Sequence, residues 1–362
     1  MKSCQDNRTI IGIDASRSVD FINKTGVEKV SDELIKEIEK LSNKEIKGNK
    51  ISIFYYTSRL VNWLLQDKQK VIKLKKLWTV LGLSFEMIHS KPDILFVPVH
   101  TLPFFCPKKT YKIIHDIAFK KESESYSFWQ RLYLNLDLKR CVKKCKKIFV
   151  ATQEIKNDLL KYTEVDKNRV VVVPFGYNIK APAQIATQNV TGRQKQILYI
   201  GRLEEKKNIS NLIKAFEIFN KKYPEYKLIL AGKAGYGFKS VKCQMSNVKC
   251  LGYITDEKKY ELLSESACLV LISKQEGFGF PILEGFDFKL PVLASDIPVL
   301  HEVGADACLY TNPVSAQDIA LGLEKITQND ELRKDLVAKG SQRLKLFNWQ
   351  IAAEKYLQEM IE

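Results

Sequence analysis

Cys268-Leu269-Val270-Leu271-Ile272, followed by Glu276-Gly277-Phe278-Gly279-Phe280-Pro281-Ile282-Leu283-Glu284-Gly285, is the stretch that decides the fold. The first five residues are apolar throughout, the signature of a short strand buried on both faces. A glycine-rich turn ends that strand and leads into a helix. Strand, glycine turn and helix in this order form the repeating unit of a parallel, doubly wound α/β sheet.

The same alternation extends outward in both directions. Toward the N-terminus of this half it restarts at 197–200, continues through a helix over about 210–223 and a strand over 227–231, and closes with a strand at 292–294. An earlier series opens with a strand at 9–14. The loop Thr25-Gly26-Val27 then leads into a helix with Val30, Leu34, Ile35 and Ile38 on one face. Further strands are expected at 51–56, 94–98, 111–114, 148–151 and 170–173. Between the two series the chain from 181 to 195 is polar and punctuated by Pro and Gly, as a linker is. The expected organisation is a domain over 1–180, a linker over 181–195, a second domain over 196–345, and a closing helix over 346–362 that returns to the first domain.

The 362 residues are 45% hydrophobic, enough to build two cores. No apolar run approaches the roughly 20 residues that span a bilayer, and the opening segment lacks the apolar core of a signal peptide. A cytoplasmic protein is therefore expected. The eight cysteines complete no zinc or redox spacing and read as free thiols. A net charge of +16 requires an anionic counterpart: nucleic acid, an acidic membrane surface or phosphorylated ligands.

The two glutamates flanking the glycine turn carry the chemistry. Glycines let a backbone approach a ligand, amides at a helix start hold diphosphate oxygens, and carboxylates grip hydroxyls without a metal. Glu276 precedes the turn and Glu284 falls in the helix start, so one can hold a ribose and the other a sugar. The E-x7-E form resembles the signature of glycosyltransferase family 4, retaining enzymes of the GT-B fold with two Rossmann-like domains. The resemblance implies that Glu276 binds the hydroxyls of the donor sugar and Glu284 the ribose, with Gly277, Phe278, Gly279, Phe280, Pro281, Ile282 and Leu283 lining the donor.

Gly201-Arg202-Leu203-Glu204-Glu205-Lys206-Lys207-Asn208 resembles a second loop of that family. Arg202 offers a planar fork and Lys207 a compact charge, which together can neutralise a departing diphosphate. Ala231-Gly232-Lys233-Ala234-Gly235-Tyr236-Gly237 resembles the family's turn beside the nucleotide, through Gly232. It is not the dinucleotide fingerprint, which argues against an NAD enzyme. His115-Asp116 resembles the family's histidine loop, where the imidazole lies against the transferred sugar; His301-Glu302 resembles a turn bordering the donor pocket, and His100 is an acceptor-side candidate. Gly26 matches the glycine loop that approaches the β-phosphate, except that Glu28 stands where many members have a second glycine.

The basic runs 68–76 and 139–147 both lie in the first domain, and 68–76 interleaves lysines with apolar residues as a basic amphipathic helix would. Such a helix can rest on an anionic leaflet; an ordinary helix with lysine stems covering apolar surface is the equal alternative. The resemblance implies a retaining hexosyltransferase that uses a UDP- or GDP-sugar and a glycan or lipid-linked acceptor. Mannose is its first-guess sugar, by similarity to bacterial surface-polysaccharide mannosyltransferases. No metal and no cofactor beyond the nucleotide-sugar are expected, nor is nucleic acid. The alternatives are a non-catalytic GT-B protein that binds a glycan or a partner, and a basic nucleic-acid or anionic-surface binder.

Overall fold

The structure, a computed structural model, describes residues 8–19, 26–42, 50–74, 77–99, 101–121, 126–182, 193–235 and 246–362. Thr25, His100, Lys75, Lys76, linker residues 183–192, Tyr236, Gly237 and Cys243 lie outside them. The chain forms two compact units, one of 1–117, 128–176 and 348–362, the other of 118–127 and 177–347.

The first unit is built on β1 (Arg8–Asp14), β2 (Lys50–Thr57), β3 (Gln69–Val71), β4 (Ile94–Val97), β5 (Lys109–Ile113), β6 (Lys147–Val150) and β7 (Val170–Val172). They pair in parallel in the order β3-β2-β1-β4-β5-β6-β7. Every residue of β4 is buried, as the central strand of a sheet covered on both faces must be. Its helices are α1 (Gly26–Leu41), α2 (Leu83–His89), α4 (Phe128–Lys144), α5 (Gln153–Tyr162) and α12 (Trp349–Ile361), while the short α3 (Ala118–Lys121) falls in the second unit. Helix α1 buries Val30, Leu34, Ile35 and Ile38, the face read from the sequence, and packs against α12. Tyr356 of α12 is fully buried between the rings of Phe96 and Phe149, and the Tyr111 hydroxyl donates to the Met360 carbonyl at 3.0 Å.

The second unit carries β8 (Gln194–Ile200), β9 (Lys227–Ala231), β10 (Val248–Gly252), β11 (Ser266–Leu271), β12 (Val292–Ser295) and β13 (Leu309–Thr311) in the order β10-β9-β8-β11-β12-β13. Around them lie α6 (Ile209–Lys222), α7 (Asp256–Glu265), α8 (Phe280–Asp287), α9 (Pro298–Gly304), α10 (Ala316–Gln328) and α11 (Asp330–Leu344). Phe216, Leu228, Leu230, Cys268, Val270 and Leu323 sit in its core.

In each sheet the winding reverses once, between β1 and β4 in the first unit and between β8 and β11 in the second. The connections leaving the carboxyl ends of those neighbouring strands run to opposite sides, and the crevice between them is where doubly wound sheets bind ligands.

Two expectations are corrected here. Over its described residues, 68–74, the run is not a helix: Gln66–Lys68 make a single 3₁₀ turn, Gln69–Val71 pair with β2, and 72–74 follow without regular structure. Gln69 carries a side chain that bridges back to Val61 and Leu64 through hydrogen bonds of 2.9–3.0 Å, so the extended form is locked by contacts that periodicity does not show. The cysteines are also not uniformly free. Cys106, Cys141, Cys145, Cys268 and Cys308 are, whereas Cys250 is disulfide-bonded.

Candidate active site

The second unit's crevice is furnished by two connections. After β8 come Gly201 and Arg202, a short 3₁₀ turn over Glu205–Lys207, and Asn208, whose left-handed backbone (φ 60°) opens α6. After β11 come the buried Ile272 and Ser273, then Glu276 and the glycine turn into α8. Lys207 and Glu276 meet across the crevice: Nζ donates to Oε1 at 2.7 Å, and the Ser273 hydroxyl donates to the same oxygen at 2.6 Å. The Lys274 amide donates to the Lys206 carbonyl at 3.0 Å, so main chain as well as side chains joins the two connections. Both charged groups are largely withdrawn from water, with side chains 18% and 11% exposed, where a charge needs a partner.

Gly279 begins α8 at φ +100°, a region open to glycine at little cost, and a Cβ there would stand 2.7 Å from Leu300 Cδ2. The turn is anchored by Phe278, buried against Phe280 and edge-on to Phe347 at 5.8 Å. The helix start offers fewer donors than an ordinary one: Pro281 has no N–H, and the Ile282 amide is taken by the Gly279 carbonyl at 2.9 Å. Ile282 and Leu283 are fully buried, so what they give a ligand passes through the main chain. Glu284, one turn into α8, accepts from Lys259 Nζ of α7 at 2.7 Å. Burial works against the Lys259 charge, but Glu284 and Asp256 beside it outweigh that and raise its pKa.

Gly232 serves the Gly201 connection more than it offers a surface of its own. At φ +155° its missing Cβ would lie 1.7 Å from the Gly201 carbonyl oxygen, and the Leu203 amide donates to the Lys233 carbonyl at 2.8 Å. Gly201 itself sits at φ +152°. Arg202 is half exposed and gives its Nε to Glu204 at 2.9 Å, while Lys206 lies 3.7 Å from the same carboxylate. Among the described residues, no group of three or more His, Cys, Asp or Glu is placed to hold a metal ion.

His115 and Gly26 belong to the first unit. His115 is half-buried at the end of β5, its Nε2 donating to the Pro98 carbonyl at 2.9 Å and its ring 5.6 Å from Phe175. Burial lowers its pKa, against the pull of that hydrogen bond and of Asp116. Gly26 is the first residue of α1, with open space where a Cβ would be. His301 pairs with Asp296 at 2.7 Å and stacks on Tyr310 at 3.7 Å.

The sequence reading missed Glu204, Ser273, Lys259 and Asp287, and no local signal marks them. Asp287 accepts from the Lys180 and Ala181 amides at 2.7 and 3.0 Å and from the Tyr177 hydroxyl at 3.1 Å, fastening the start of the second unit to the end of α8.

The family model of glycosyl transferases group 1 matches residues 181–343, which hold the whole crevice just described. Over that segment, less than half of the chain, the sequence is that of a group 1 glycosyltransferase. The chain is similar to the O-antigen chain mannosyltransferase B of Escherichia coli, 26% identical over 269 residues that span 69% of this chain and 70% of that one. It is also similar to the O-antigen chain mannosyltransferase RfbU of Salmonella typhimurium, 27% identical over 275 residues, 73% and 75% of the two chains. Among solved structures, the sucrose-phosphate synthase of Thermosynechococcus elongatus superposes with a TM-score of 0.73 at 16% identity over 97% of this chain and 98% of that one. HepE of Anabaena in complex with UDP and glucose gives 0.66 at 16% over 98% and 99%. These likenesses show that the transferase has the GT-B fold.

Proposed function

We propose that the transferase moves a glycosyl unit, mannose in the first instance, from a GDP- or UDP-sugar to a hydroxyl of a glycan or lipid-linked acceptor in cell-surface polysaccharide synthesis. The anomeric configuration is retained and no metal ion takes part. The observation that carries this reading is the Lys207–Glu276 pair at the second unit's switch point, which sets a cation and a hydroxyl-gripping carboxylate side by side where a nucleotide-sugar has both groups to satisfy. Mannose as the sugar is supported by the two O-antigen mannosyltransferases, and a nucleoside diphosphate in such a fold by the UDP held by HepE.

In the reaction, the acceptor oxygen bonds to the anomeric carbon on the face from which the diphosphate leaves. The bond from that carbon to the phosphate oxygen breaks, its electrons leave with the nucleoside diphosphate, and the acceptor proton passes to the departing phosphate. Lys207 and the guanidinium of Arg202 stabilise the departing charge. Because Glu204 holds Nε of Arg202, the two terminal nitrogens remain as the fork for phosphate oxygens. Glu276 accepts from the sugar hydroxyls and Glu284 from the ribose. Main-chain amides of the Gly277–Gly279 turn serve the diphosphate, whereas the Gly201 amide is spent on the Ala231 carbonyl at 2.9 Å and Gly201 only shapes the connection beside it; Gly26 leaves room for the diphosphate's approach. His115 works as a neutral ring: Nε2 is committed as donor to Pro98, so Nδ1 is the accepting side toward a sugar hydroxyl. Exposed Phe128 and Trp129 at the start of α4, with Lys139, Lys143 and Lys144 further along it, suit a peripheral position on an anionic membrane face.

A thermal-shift panel without metal tests the donor site. GDP, UDP, ADP and their sugar conjugates are offered to the wild type and to Glu284→Gln and Lys207→Met. One nucleotide is expected to raise the wild-type Tm by mass action, with a diminished response in both variants. No response to any nucleotide at millimolar concentration sinks the reading.

A further inference from the structure

Lys259 stands where its own helix does not favour it. It lies in the opening turn of α7, just behind the Thr255 cap, whose hydroxyl accepts from the Lys258 amide at 3.3 Å, and a cation at that end opposes the helix dipole. Its side chain is only 14% exposed, and burial alone would push the ammonium toward its neutral form. What surrounds it keeps the charge: Glu284 Oε1 at 2.7 Å, Asp256 at 3.5 Å, and the ring of Tyr260 with its centre 5.3 Å from Nζ. Tyr260 in turn stacks on the buried Phe288 at 5.5 Å, directly after α8. The ammonium is therefore held from several sides, and the ring that backs it is fixed to the helix that carries Glu284.

The two acids on α8 have separate partners. One oxygen of Asp287 takes the Lys180 and Ala181 amides and the Tyr177 hydroxyl, which leaves Glu284 as the α8 carboxylate that answers Lys259. At 2.7 Å that contact has the length of a charge-assisted bond, and it falls on Oε1 alone. Among the described residues no donor is seen on Oε2. A carboxylate free to turn can take the two hydroxyls of a ribose, one on each oxygen. This carboxylate is pinned through Oε1 and has Oε2 left to offer.

We propose that Lys259 is a positioning residue that makes Glu284 a one-point grip on the ribose: Oε1 belongs to α7, and Oε2 accepts from a single ribose hydroxyl of the nucleoside diphosphate. This deepens the reading of Glu284 as the ribose carboxylate and rests on it. The consequence is a specificity: the site depends on one hydroxyl of the vicinal pair and tolerates loss of the other.

Isothermal titration of the full chain with GDP, 2′-deoxy-GDP and 3′-deoxy-GDP, and with the matching UDP series, tests this. In the wild type one deoxy form is expected to bind about 10-fold or more weakly than its parent and the other within about 3-fold of it. In Lys259→Met the carboxylate is free to turn, and the two deoxy affinities should converge to within about 3-fold of each other. Lys259→Arg keeps the charge and the tie between α7 and α8, but its fork engages both oxygens. It should unfold like the wild type yet bind the parent nucleotide about 10-fold more weakly. The proposal is overturned if the two deoxy forms lose affinity equally in the wild type. It is also overturned if the deoxy preference is the same in all three proteins while only unfolding stability changes, the pattern of a structural tie. Its failure is separable from failure of the donor site. A parent nucleotide that binds the wild type and is weakened by Glu284→Gln, with equal deoxy losses, removes the one-point grip alone, whereas a wild type that binds neither GDP nor UDP removes the donor site and this proposal with it.

Discussion

At the scale of single residues, Lys207 and Glu276 hold each other in a place where neither is well hydrated. Lys207→Met leaves a largely buried carboxylate with the Ser273 hydroxyl and no cation. We expect kcat/KM to fall about 10²–10³-fold and stability by about 1–3 kcal/mol, read by steady-state kinetics and chemical denaturation. Glu276→Gln, which keeps the shape and an acceptor, should cost similar activity but less stability. A comparable loss of stability with activity intact would make the pair a structural strut. Asp14, at the end of β1, offers a test by pH. Burial pushes its pKa from 3.8 to about 6, against hydrogen bonds from Ser16 and the charges of Arg17 and Lys112. Its Oδ2 accepts no hydrogen bond among the described residues. The folded state thus holds this proton more tightly than the unfolded one, and the contribution to stability is full below pH 3.8 and lost as pH rises through about 6. Asp14→Asn should match the wild type in unfolding free energy near pH 4 and exceed it at pH 8 by up to about 3 kcal/mol. Equal pH profiles would contradict this. The two glutamates of the site were legible because their spacing is local to one turn. Lys259 was not, because α7 reaches Glu284 only once the fold is made, and Glu204, two residues from Arg202, was passed over because a loop carboxylate beside an arginine has no distinctive spacing.

Among elements, the central strands declared themselves through apolar runs, as Ile94–Val97 and Ser266–Leu271 show. The strands that did not, Gln69–Val71, Val248–Gly252 and Leu309–Thr311, all lie at a sheet edge. An edge strand has one neighbour and less burial, so its sequence need not be apolar, and pairing rather than propensity makes it a strand. For the same reason 68–76 read as a helix. The contact between the Gly201 and Gly232 connections sets a further expectation. In Gly232→Ala a methyl would have to occupy the space of the Gly201 carbonyl oxygen at a backbone angle that alanine avoids. Stability should fall by about 2 kcal/mol or more, with loss of the nucleotide-induced Tm shift. An unchanged nucleotide response would mean that the Gly201 connection tolerates displacement.

For the molecule as a whole, two restarts of the strand and helix alternation gave away the paired GT-B units, while the linker read over 181–195 falls mostly outside the described residues. The physical division is subtler, because 118–127 group with the second unit and 348–362 with the first. Truncation after Phe347 removes Tyr356, Leu357 and Met360, all fully buried in the first unit. It should melt that unit and leave the body of the second, residues 177–347 with 118–127, folded and still stabilised by nucleotide. Calorimetry and limited proteolysis would show one surviving transition, whereas two surviving transitions would show that α12 is dispensable.

The placement of α12 also bears on how the protein comes into being. Ribosomes deliver the N-terminal unit first, yet the slot around Phe96, Phe149 and Tyr111 stays vacant until residues 349–361 emerge. The unit synthesised later, with its strands contiguous from β8 to β13, is therefore able to finish first. During that interval the nascent chain displays an apolar seam that chaperones can shield, and of the two units the one delivered earlier is the one completed later.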